Sequence, residues 1–182
     1  MSDFDPLAPL PTVPGFEIRS DTVEDGAAWP EGQLSGLFGV PGGQDRSPHL
    51  SWSGAPAETK SFTVTIHDPD APTGSGFWHW AVADLPASTT ELAEGAGEPG
   101  DAELPQGAYQ LRNDAGAARY IGAAPPAGHG PHRYYIIVSA LDTEHIGVGP
   151  DASPALLAFT LNSHVLARAV LVATAETPGT GD

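Results

Sequence analysis

Residues 60–68, KSFTVTIHD, carry the clearest strand pattern in the sequence. Phe62, Val64 and Ile66 alternate with polar residues, and strong β-formers occupy most of the stretch. Because successive side chains of a strand point to opposite faces, these three apolar residues share one face. The stretch therefore predicts a strand that buries this face in a core.

Other stretches rich in aromatic and β-branched residues predict further strands. These stretches are GFEIRSDTV at 15–23, WHWAVADL at 78–85, HRYYIIVSALD at 132–142 and VLARAVLVA at 165–173. The last of them has a continued helix as its alternative, since periodicity does not separate the two for a short apolar run. One short helix is predicted before it, with Ser153 as N-cap and Pro154 at the first helical position. Strands at this spacing with little helix predict a mainly β protein, an antiparallel β-sandwich with few short helices.

The 182 residues fit one domain. Residues 1–14 are proline-rich and aperiodic, which predicts an extended lead-in, and residues 176–182 predict a flexible tail. The single domain is expected to span residues 15–175. Within it, residues 86–131 are rich in Gly, Pro, Ala and acids, which predicts a long excursion over the surface that is functional or mobile.

The charge balance is strongly acidic. The chain carries 23 Asp and Glu against 7 Lys and Arg, a formal net charge of −16 at pH 7. Such a field repels phosphate backbones and anionic lipid surfaces, so no nucleic-acid partner is expected. The absence of cysteine excludes disulfides, thiol catalysis and cysteine-based zinc sites. The N-terminus has no basic and apolar leader, and no apolar run reaches the ~20 residues of a membrane span, which predicts a cytoplasmic protein without membrane insertion.

Three motifs hold the residues that could carry chemistry: DPDAP at 68–72, FWHW at 77–80 and PPAGHGPHRYY at 125–135. Strand alternation places His132 and Tyr134 on one face of their strand and Arg133 on the other. In the second motif, His79 points away from the tryptophans on either side of it. One face of the sheet can therefore collect two imidazoles and a phenol, while Arg133 is expected to pair with a carboxylate as a structural anchor.

Each of these residues also has an ordinary structural interpretation, because Asp-Pro pairs form turns and a lone histidine in a strand is most often satisfied or exposed. A metal site is the weaker functional alternative, since no HExxH-type spacing exists. Its candidate ligands are Asp68, His79, His129 and His132. No G-x-S-x-G elbow supports a nucleophile, and Ser75 lies in a turn. Asp68 and Asp70 are too close in sequence to straddle a substrate as an acid and base pair.

Six separated motifs occur together along the chain. They are SPHLSWSGAP at 47–56, DPDAP at 68–72, WHW at 78–80, LRNDAG at 111–116, YIGAAPPAGHGPHRY at 120–134 and IIVSALD at 136–142. In this order they closely resemble the phosphatidylethanolamine-binding protein family, in its bacterial and archaeal Raf-kinase-inhibitor-like branch. The resemblance covers residues 16–174, and the combination is specific although any one motif is weak.

The resemblance implies an antiparallel β-sandwich of two sheets, with a small pocket at one end that binds phosphate-like anions and phosphorylated or zwitterionic head groups. The positions that match imply these ligand-binding residues: Asp68, Asp70, Pro72, His79, Ala124, Pro126, His132 and Tyr134. The resemblance also implies a binding or regulatory protein that is not an enzyme, needs no cofactor and forms a homodimer. The identity of any protein partner is not implied.

An acidic protein can hold an anion without lysine. Imidazole N–H groups, the Tyr134 hydroxyl and backbone amides can donate, and hydrogen bonds to charged groups contribute ~1.5–3 kcal/mol each. The aspartates would then fix imidazole tautomers or receive the ammonium end of a zwitterion, and anion affinity is expected to rise as the pH falls from about 8 towards 6. One alternative is a hydrolase of a phosphorylated or acyl substrate, with His79 or His132 as general base and Asp68 as orienter. Another is an interaction module of the protease- or kinase-inhibitor type that makes its contact through residues 86–131.

Overall fold

The computed structural model describes residues 4–179. This part of the chain contains eight strands, one α-helix and one short 3-10 helix. The elements are β1 (Glu17–Arg19), the 3-10 helix (Glu31–Gln33), β2 (Leu50–Ser53), β3 (Ser61–Asp68), β4 (Phe77–Pro86), β5 (Glu91–Leu92), β6 (Tyr109–Gln110), β7 (His132–Leu141), α1 (Pro154–Leu161) and β8 (Val165–Ala175).

The strands form two antiparallel sheets. The larger sheet has five strands in the order β6-β4-β3-β7-β8, and the smaller has three in the order β1-β2-β5. Strand β3, which carries the clearest pattern in the sequence, lies at the centre of the larger sheet between β4 and β7. The predicted fold class, a mainly β protein with two antiparallel sheets, is confirmed.

Strand β3 is buried on both faces. Phe62, Val64 and Ile66 lie in the core with side chains of the smaller sheet, as their alternation predicts. Ser61, Thr63 and Thr65 on the opposite face are buried as well, and His67 at the end of this face is partly buried. A second apolar cluster that includes residues of α1, β4 and β7 lies on this side. The larger sheet is therefore covered on both sides.

Helix α1 begins where the sequence places it. Ser153 is the N-cap, and its hydroxyl accepts a hydrogen bond from the backbone N of Leu156 at 3.1 Å. Pro154 occupies the first helical position, where a backbone N–H would have no partner within the helix. The helix ends at Leu161, and residues 165–175 form a strand that pairs along β7. The strand prediction for this segment is confirmed.

Residues 86–131 contribute strands and buried side chains to the domain. They contribute β5 and β6, and Tyr120 is buried in the core. Trp80 of β4 donates from Nε1 to Oε1 of Gln110 at 2.7 Å, which ties the segment to the larger sheet. A Cβ on Gly97 would lie 2.7 Å from the Tyr120 side chain, so this close approach requires glycine. The predicted surface excursion is therefore wrong for these stretches, because small and hydrogen-bonded residues let the backbone pack inside.

The described C-terminal segment is held by a loop of the domain. The backbone N of Gly128 donates to the O of Thr177 at 2.9 Å. Residues 1–3 of the predicted lead-in and residues 180–182 of the predicted flexible tail lie outside the described residues, and the domain limits stay a prediction. Within residues 4–179, the structure contains no helix with the length and hydropathy that a membrane span needs.

Candidate functional site

A cavity of about 140 Å³ lies at the end of the larger sheet, where β3 ends and β4 and β7 begin. Its titratable lining residues are Asp68, His79, His132 and Tyr134. The others that line it are Phe38, Ala71, Pro72, Thr73, Phe77, Ala124, Pro125 and Pro126. Antiparallel pairing brings these elements together, since Asp68 pairs in register with Phe77 across β3 and β4. The cavity therefore combines a titratable cluster with a wall rich in proline, alanine and phenylalanine.

Seven of the eight predicted ligand-binding residues line this cavity: Asp68, Pro72, His79, Ala124, Pro126, His132 and Tyr134. The eighth, Asp70, lies outside the lining and forms an ion pair with Arg133. Alternation along a strand would place Asp70 on the same face as Asp68, but β3 ends at Asp68 and the chain turns there. The structure therefore separates the two carboxylates of the DPDAP motif, and ligand binding by the other seven residues stays a prediction.

Asp68 is buried and uses both carboxylate oxygens. Its Oδ1 accepts hydrogen bonds from the backbone N atoms of Asp70 and Ala71 at 2.8 and 3.0 Å, which closes the turn after β3. Its Oδ2 lies 2.7 Å from Nδ1 of His132. Because an ionised carboxylate only accepts, the hydrogen of this contact is on Nδ1 of His132. One carboxylate thus fixes both the turn and the orientation of an imidazole.

His132 contacts a second imidazole through its other ring nitrogen. Its Nε2 lies 2.7 Å from Nδ1 of His129. His129 is exposed on the Gly- and Pro-rich loop at 126–131, whereas His132 is 1% exposed. The contacts therefore form a chain from the buried Asp68 through His132 to an imidazole at the surface.

His79 is buried beside the same cavity. Its Nδ1 donates to the backbone O of Ile121 at 2.9 Å, and its ring packs against that of Tyr134 with centroids 5.1 Å apart. Burial lowers the pKa of His79 to about 4, although the Ile121 carbonyl and the charge of Asp68 act in the opposite direction. The imidazole is therefore neutral at pH 7, with a hydrogen on Nδ1 and a lone pair on Nε2.

Tyr134 has a hydroxyl group that forms no hydrogen bond within the described residues. The residue is 1% exposed and lines the cavity. Its hydroxyl has no hydrogen-bond partner within the described residues 4–179. Burial, together with the charge of Asp68, raises the pKa of Tyr134 far above its ordinary value, so the hydroxyl keeps its hydrogen. A buried hydroxyl without a partner is costly, which makes it a candidate group for binding a ligand.

Asp70 and Arg133 form the neighbouring ion pair. Nε and Nη2 of Arg133 donate to the two carboxylate oxygens of Asp70 at 2.7 and 2.8 Å, and the backbone N of Arg133 donates to the same group at 3.0 Å. Burial raises the pKa of Asp70, but the hydrogen bonds and charge of Arg133 outweigh it, so this pKa lies below its ordinary value. The same hydrogen bonds raise the pKa of Arg133. The prediction that Arg133 pairs with a carboxylate is confirmed.

The cavity wall next to Ala124 is held by a carboxylate that the sequence analysis does not identify. Asp45 is buried, and it accepts hydrogen bonds from the backbone N atoms of Gly122 and Leu37, both at 2.8 Å. A Cβ on Gly122 would lie 2.3 Å from the backbone of Leu34, so only glycine fits at this crossing. These contacts join two distant loops into one rigid wall.

Two aromatic lining residues, Phe38 and Phe77, were not among the predicted site residues. Phe77 had a usable signal, because it lies two residues before His79 on β4 and therefore shares its face. Phe38 had none, since it comes from an irregular loop that no periodic pattern connects to the site. Within residues 4–179, no three His, Cys, Asp or Glu side chains are arranged to hold a metal ion.

Comparison with known proteins identifies the family of the chain. The family model described as phosphatidylethanolamine-binding protein matches residues 19–176. The chain belongs to this family. It is 46% identical over 154 residues to the UPF0098 protein YbcL of Escherichia coli strain K12, covering 85% of this chain and 84% of YbcL. It is 47% identical over 158 residues to YbhB of the same organism, covering 87% of this chain and 98% of YbhB. The predicted family is therefore confirmed.

Solved structures of phosphatidylethanolamine-binding proteins agree with this assignment. The crystal structure of Escherichia coli YbcL, described as a member of the mammalian PEBP family, has a TM-score of 0.85 and 44% sequence identity. That match covers 88% of this chain and 98% of YbcL. A carboxypeptidase Y inhibitor solved with its cognate proteinase has a TM-score of 0.53 at 18% identity, which shows a shared fold alone. Membership of this family supports a binding role.

Proposed function

We propose that this chain is a non-catalytic binding protein whose cavity takes a small phosphate-like anion or the phosphorylated or zwitterionic head group of a larger molecule. The observation that carries the proposal is that Tyr134, a residue of the cavity lining, has a buried hydroxyl with no hydrogen-bond partner within residues 4–179. The imidazoles of His79 and His132 line the same space. A ligand oxygen is the partner that this hydroxyl lacks.

The size of the cavity limits the ligand. Its volume of about 140 Å³ is well below the roughly 300–1,000 Å³ of pockets that enclose drug-sized molecules. It is close to the roughly 150 Å³ of an engineered apolar cavity that holds benzene. A phosphate group or a small head group fits this space, whereas the rest of a larger molecule would extend past the exposed residues Pro72 and Pro126 at its edge.

The net charge does not prevent anion binding at such a site. None of the described residues that line the cavity is Lys or Arg, so the anion would be held by hydrogen bonds. Each hydrogen bond to a charged group contributes about 1.5–3 kcal/mol. The field of distant surface carboxylates is screened over about 8 Å at physiological salt.

A hydrolase is the second candidate, and one observation favours it. Nδ1 of His132 lies 2.7 Å from Oδ2 of Asp68, the relation of a general base and its orienting carboxylate. Against this, Nε2 of His132 contacts His129. The hydroxyl of Thr73, the one side-chain alcohol of Ser or Thr in the described lining, donates to the backbone O of Gly76. We expect no turnover of p-nitrophenyl phosphate or p-nitrophenyl acetate above that of an Asp68→Asn variant, and turnover that this variant abolishes would favour the hydrolase.

Tyrosines 134 and 135 offer a matched test of the binding proposal. We expect Tyr134→Phe to weaken binding of phosphoethanolamine at least about tenfold, because a hydrogen bond to a charged group is lost. The free energy of unfolding of the variant should equal that of the wild type or exceed it by up to about 1 kcal/mol, since the hydroxyl it removes has no partner in the described part of the chain. Tyr135→Phe, one residue along β7 on the opposite face, should leave the affinity unchanged. Isothermal titration and thermal unfolding measure both quantities, and equal affinities in the two variants would contradict the proposal.

The cytoplasmic location, which the sequence pattern predicts, and the homodimer, which the resemblance implies, both stay predictions, and no protein partner is identified. An interaction module that uses residues 86–131 remains the alternative to a ligand-binding role. Native mass spectrometry of the purified chain measures the oligomeric state and any small molecule that copurifies. A phosphate-containing ligand that copurifies with the wild type and is absent from Tyr134→Phe would favour the binding protein over the interaction module.

A further inference from the structure

The hydrogen positions in the cavity follow from its contacts. Nδ1 of His132 donates to the carboxylate of Asp68, so a neutral His132 has only a lone pair on Nε2. The 2.7 Å contact between this atom and Nδ1 of His129 then requires that His129 donates. His79 is in the same state, because its Nδ1 donates to the Ile121 carbonyl and leaves a lone pair on Nε2.

The neutral cavity is therefore poor in donors. Two imidazole nitrogens and the oxygens of Asp68 accept, and among the side chains of the described lining the Tyr134 hydroxyl is the donor that remains free. An oxyanion needs donors, so it does not match this state of the cavity. A ligand that replaces His129 as the hydrogen-bond partner of Nε2 of His132 therefore needs one additional proton. The ligand carries this proton itself, or the imidazole takes it from solvent.

We propose that an oxyanion binds in this cavity by replacing His129 on His132, and that one proton is bound with each anion. This inference rests on the proposed function. The proton goes to Nε2 of His132, which then donates to the anion, and Asp68 balances the imidazolium. His129 keeps its own Nδ1 hydrogen and turns to solvent. A ligand such as dihydrogen phosphate carries the proton itself, whereas a fully ionised anion draws it from solvent.

The loop that carries His129 suits such an exchange. His129 is exposed, and it lies between Gly128 and Gly130, which have φ values of 73° and 85°. Its imidazole makes the hydrogen bond to His132. His132 is fixed by contrast, because it lies on β7 and is held by Asp68. Of the two imidazoles, His129 is the one that can leave without disturbing the sheet.

The surroundings of His132 allow it to gain a proton. The titratable and charged groups that surround the two cavity imidazoles are His67 and Asp68 from β3, Asp70 from the turn after it, Tyr120 from the segment before β7, His129 from the loop, and Arg133 and Tyr134 from β7. Arg133 is neutralised by its ion pair with Asp70. Asp68 is the carboxylate that contacts His132 directly, so an imidazolium formed on anion binding would have its counter-charge at 2.7 Å.

Sulfate is the probe that tests the exchange, because it stays fully ionised near neutral pH and any proton bound belongs to the protein. Isothermal titration at pH 7.5 in two buffers of different ionisation enthalpy should give an uptake of about one proton per sulfate, and the affinity should fall roughly tenfold per pH unit as the pH rises. His129→Ala should bind sulfate about fivefold more tightly, the equivalent of one net hydrogen bond that no longer has to break. His164→Ala, a surface histidine paired with Asp142, is the control and should leave the affinity unchanged.

The outcomes separate this inference from the proposed function. If neither sulfate nor phosphate binds, the proposed function fails and the inference fails with it. If sulfate binds without proton uptake, or if His129→Ala binds it no more tightly than the wild type, the inference alone is overturned. Thermal unfolding of His129→Ala should match the wild type within about 1 kcal/mol, since the side chain is exposed.

Discussion

Two acid–base pairs lie side by side at the end of β3 and differ in what they can do. Asp68 contacts Nδ1 of His132 at 2.7 Å on the cavity side, and Asp70 contacts Nε of Arg133 at the same distance outside the cavity. Both carboxylates come from the DPDAP motif, and both partners are consecutive residues of β7. The difference comes from strand alternation on β7 and from the turn that separates the two aspartates.

The chemistry of each pair fits its position. Arginine stays charged throughout the range in which carboxyl groups titrate, so the pair of Arg133 with Asp70 persists wherever the Asp70 carboxyl is ionised. An imidazole has two ring nitrogens that can each donate or accept, so His132 can keep its contact with Asp68 through Nδ1 while Nε2 changes its partner. We therefore propose that the outer pair is a structural contact between the turn and β7, and that the inner pair, whose carboxylate also closes the turn, takes part in binding.

Loss of the outer pair should give the largest effect. We expect Arg133→Ala to lower the free energy of unfolding by about 3 kcal/mol at pH 7, because it leaves the nearly buried Asp70 carboxylate without its partner. The pKa of Asp70 is lowered in the folded state, so this contribution is complete above the unfolded pKa of about 3.9 and is lost as the pH falls through the lower folded pKa. Denaturant unfolding of both proteins should therefore show their difference shrinking below about pH 4. A difference that does not depend on pH would mean that packing, and not the ion pair, accounts for the loss.

The buried imidazole of His79 should make the free energy of unfolding decrease as the pH falls. Its folded pKa of about 4 lies below the unfolded value of about 6.5, so the unfolded chain binds a proton first as the pH falls. The stabilisation by this group is complete above about pH 6.5 and is lost between pH 6.5 and about 4, a change of about 3 kcal/mol. Urea unfolding over this range should show a smaller loss in His79→Gln than in the wild type. Parallel curves for the two proteins would contradict the assignment.

Removing the charge of the inner carboxylate should weaken ligand binding, whereas removing the charge of the outer carboxylate should lower the stability of the fold. Asp68→Asn should weaken binding of phosphoethanolamine about tenfold, because the amide no longer balances an imidazolium at His132. Asp70→Asn is the matched control within the same motif, and it should lower the stability while leaving the affinity unchanged. Titration calorimetry measures both affinities. The inner and outer roles would have to be exchanged if Asp70→Asn gave the larger loss of affinity.

Alternation along a strand explains what could be predicted from the sequence. It places His132 and Tyr134 on one face of β7, and both line the cavity together with His79. The same rule failed for Asp70, because β3 ends two residues before it. A period of two carries no information beyond the end of the strand.

Loops explain what could not be predicted. The contact of His129 with His132 depends on the conformation of a Gly- and Pro-rich loop, and the position of Phe38 depends on the buried hydrogen bonds of Asp45. Irregular segments of this kind have no periodic signal, so their tertiary contacts decide where they lie. Residues 86–131 are also largely irregular. Their composition gave no signal for the two short strands β5 and β6 or for the burial of Tyr120.

A crystal structure of the chain with phosphoethanolamine tests the central claim most directly. The account predicts that the phosphoryl group lies in the cavity within hydrogen-bond distance of the Tyr134 hydroxyl and Nε2 of His132, with His129 turned away. A cavity without the ligand at saturating concentration, or a ligand bound elsewhere on the chain, would contradict it.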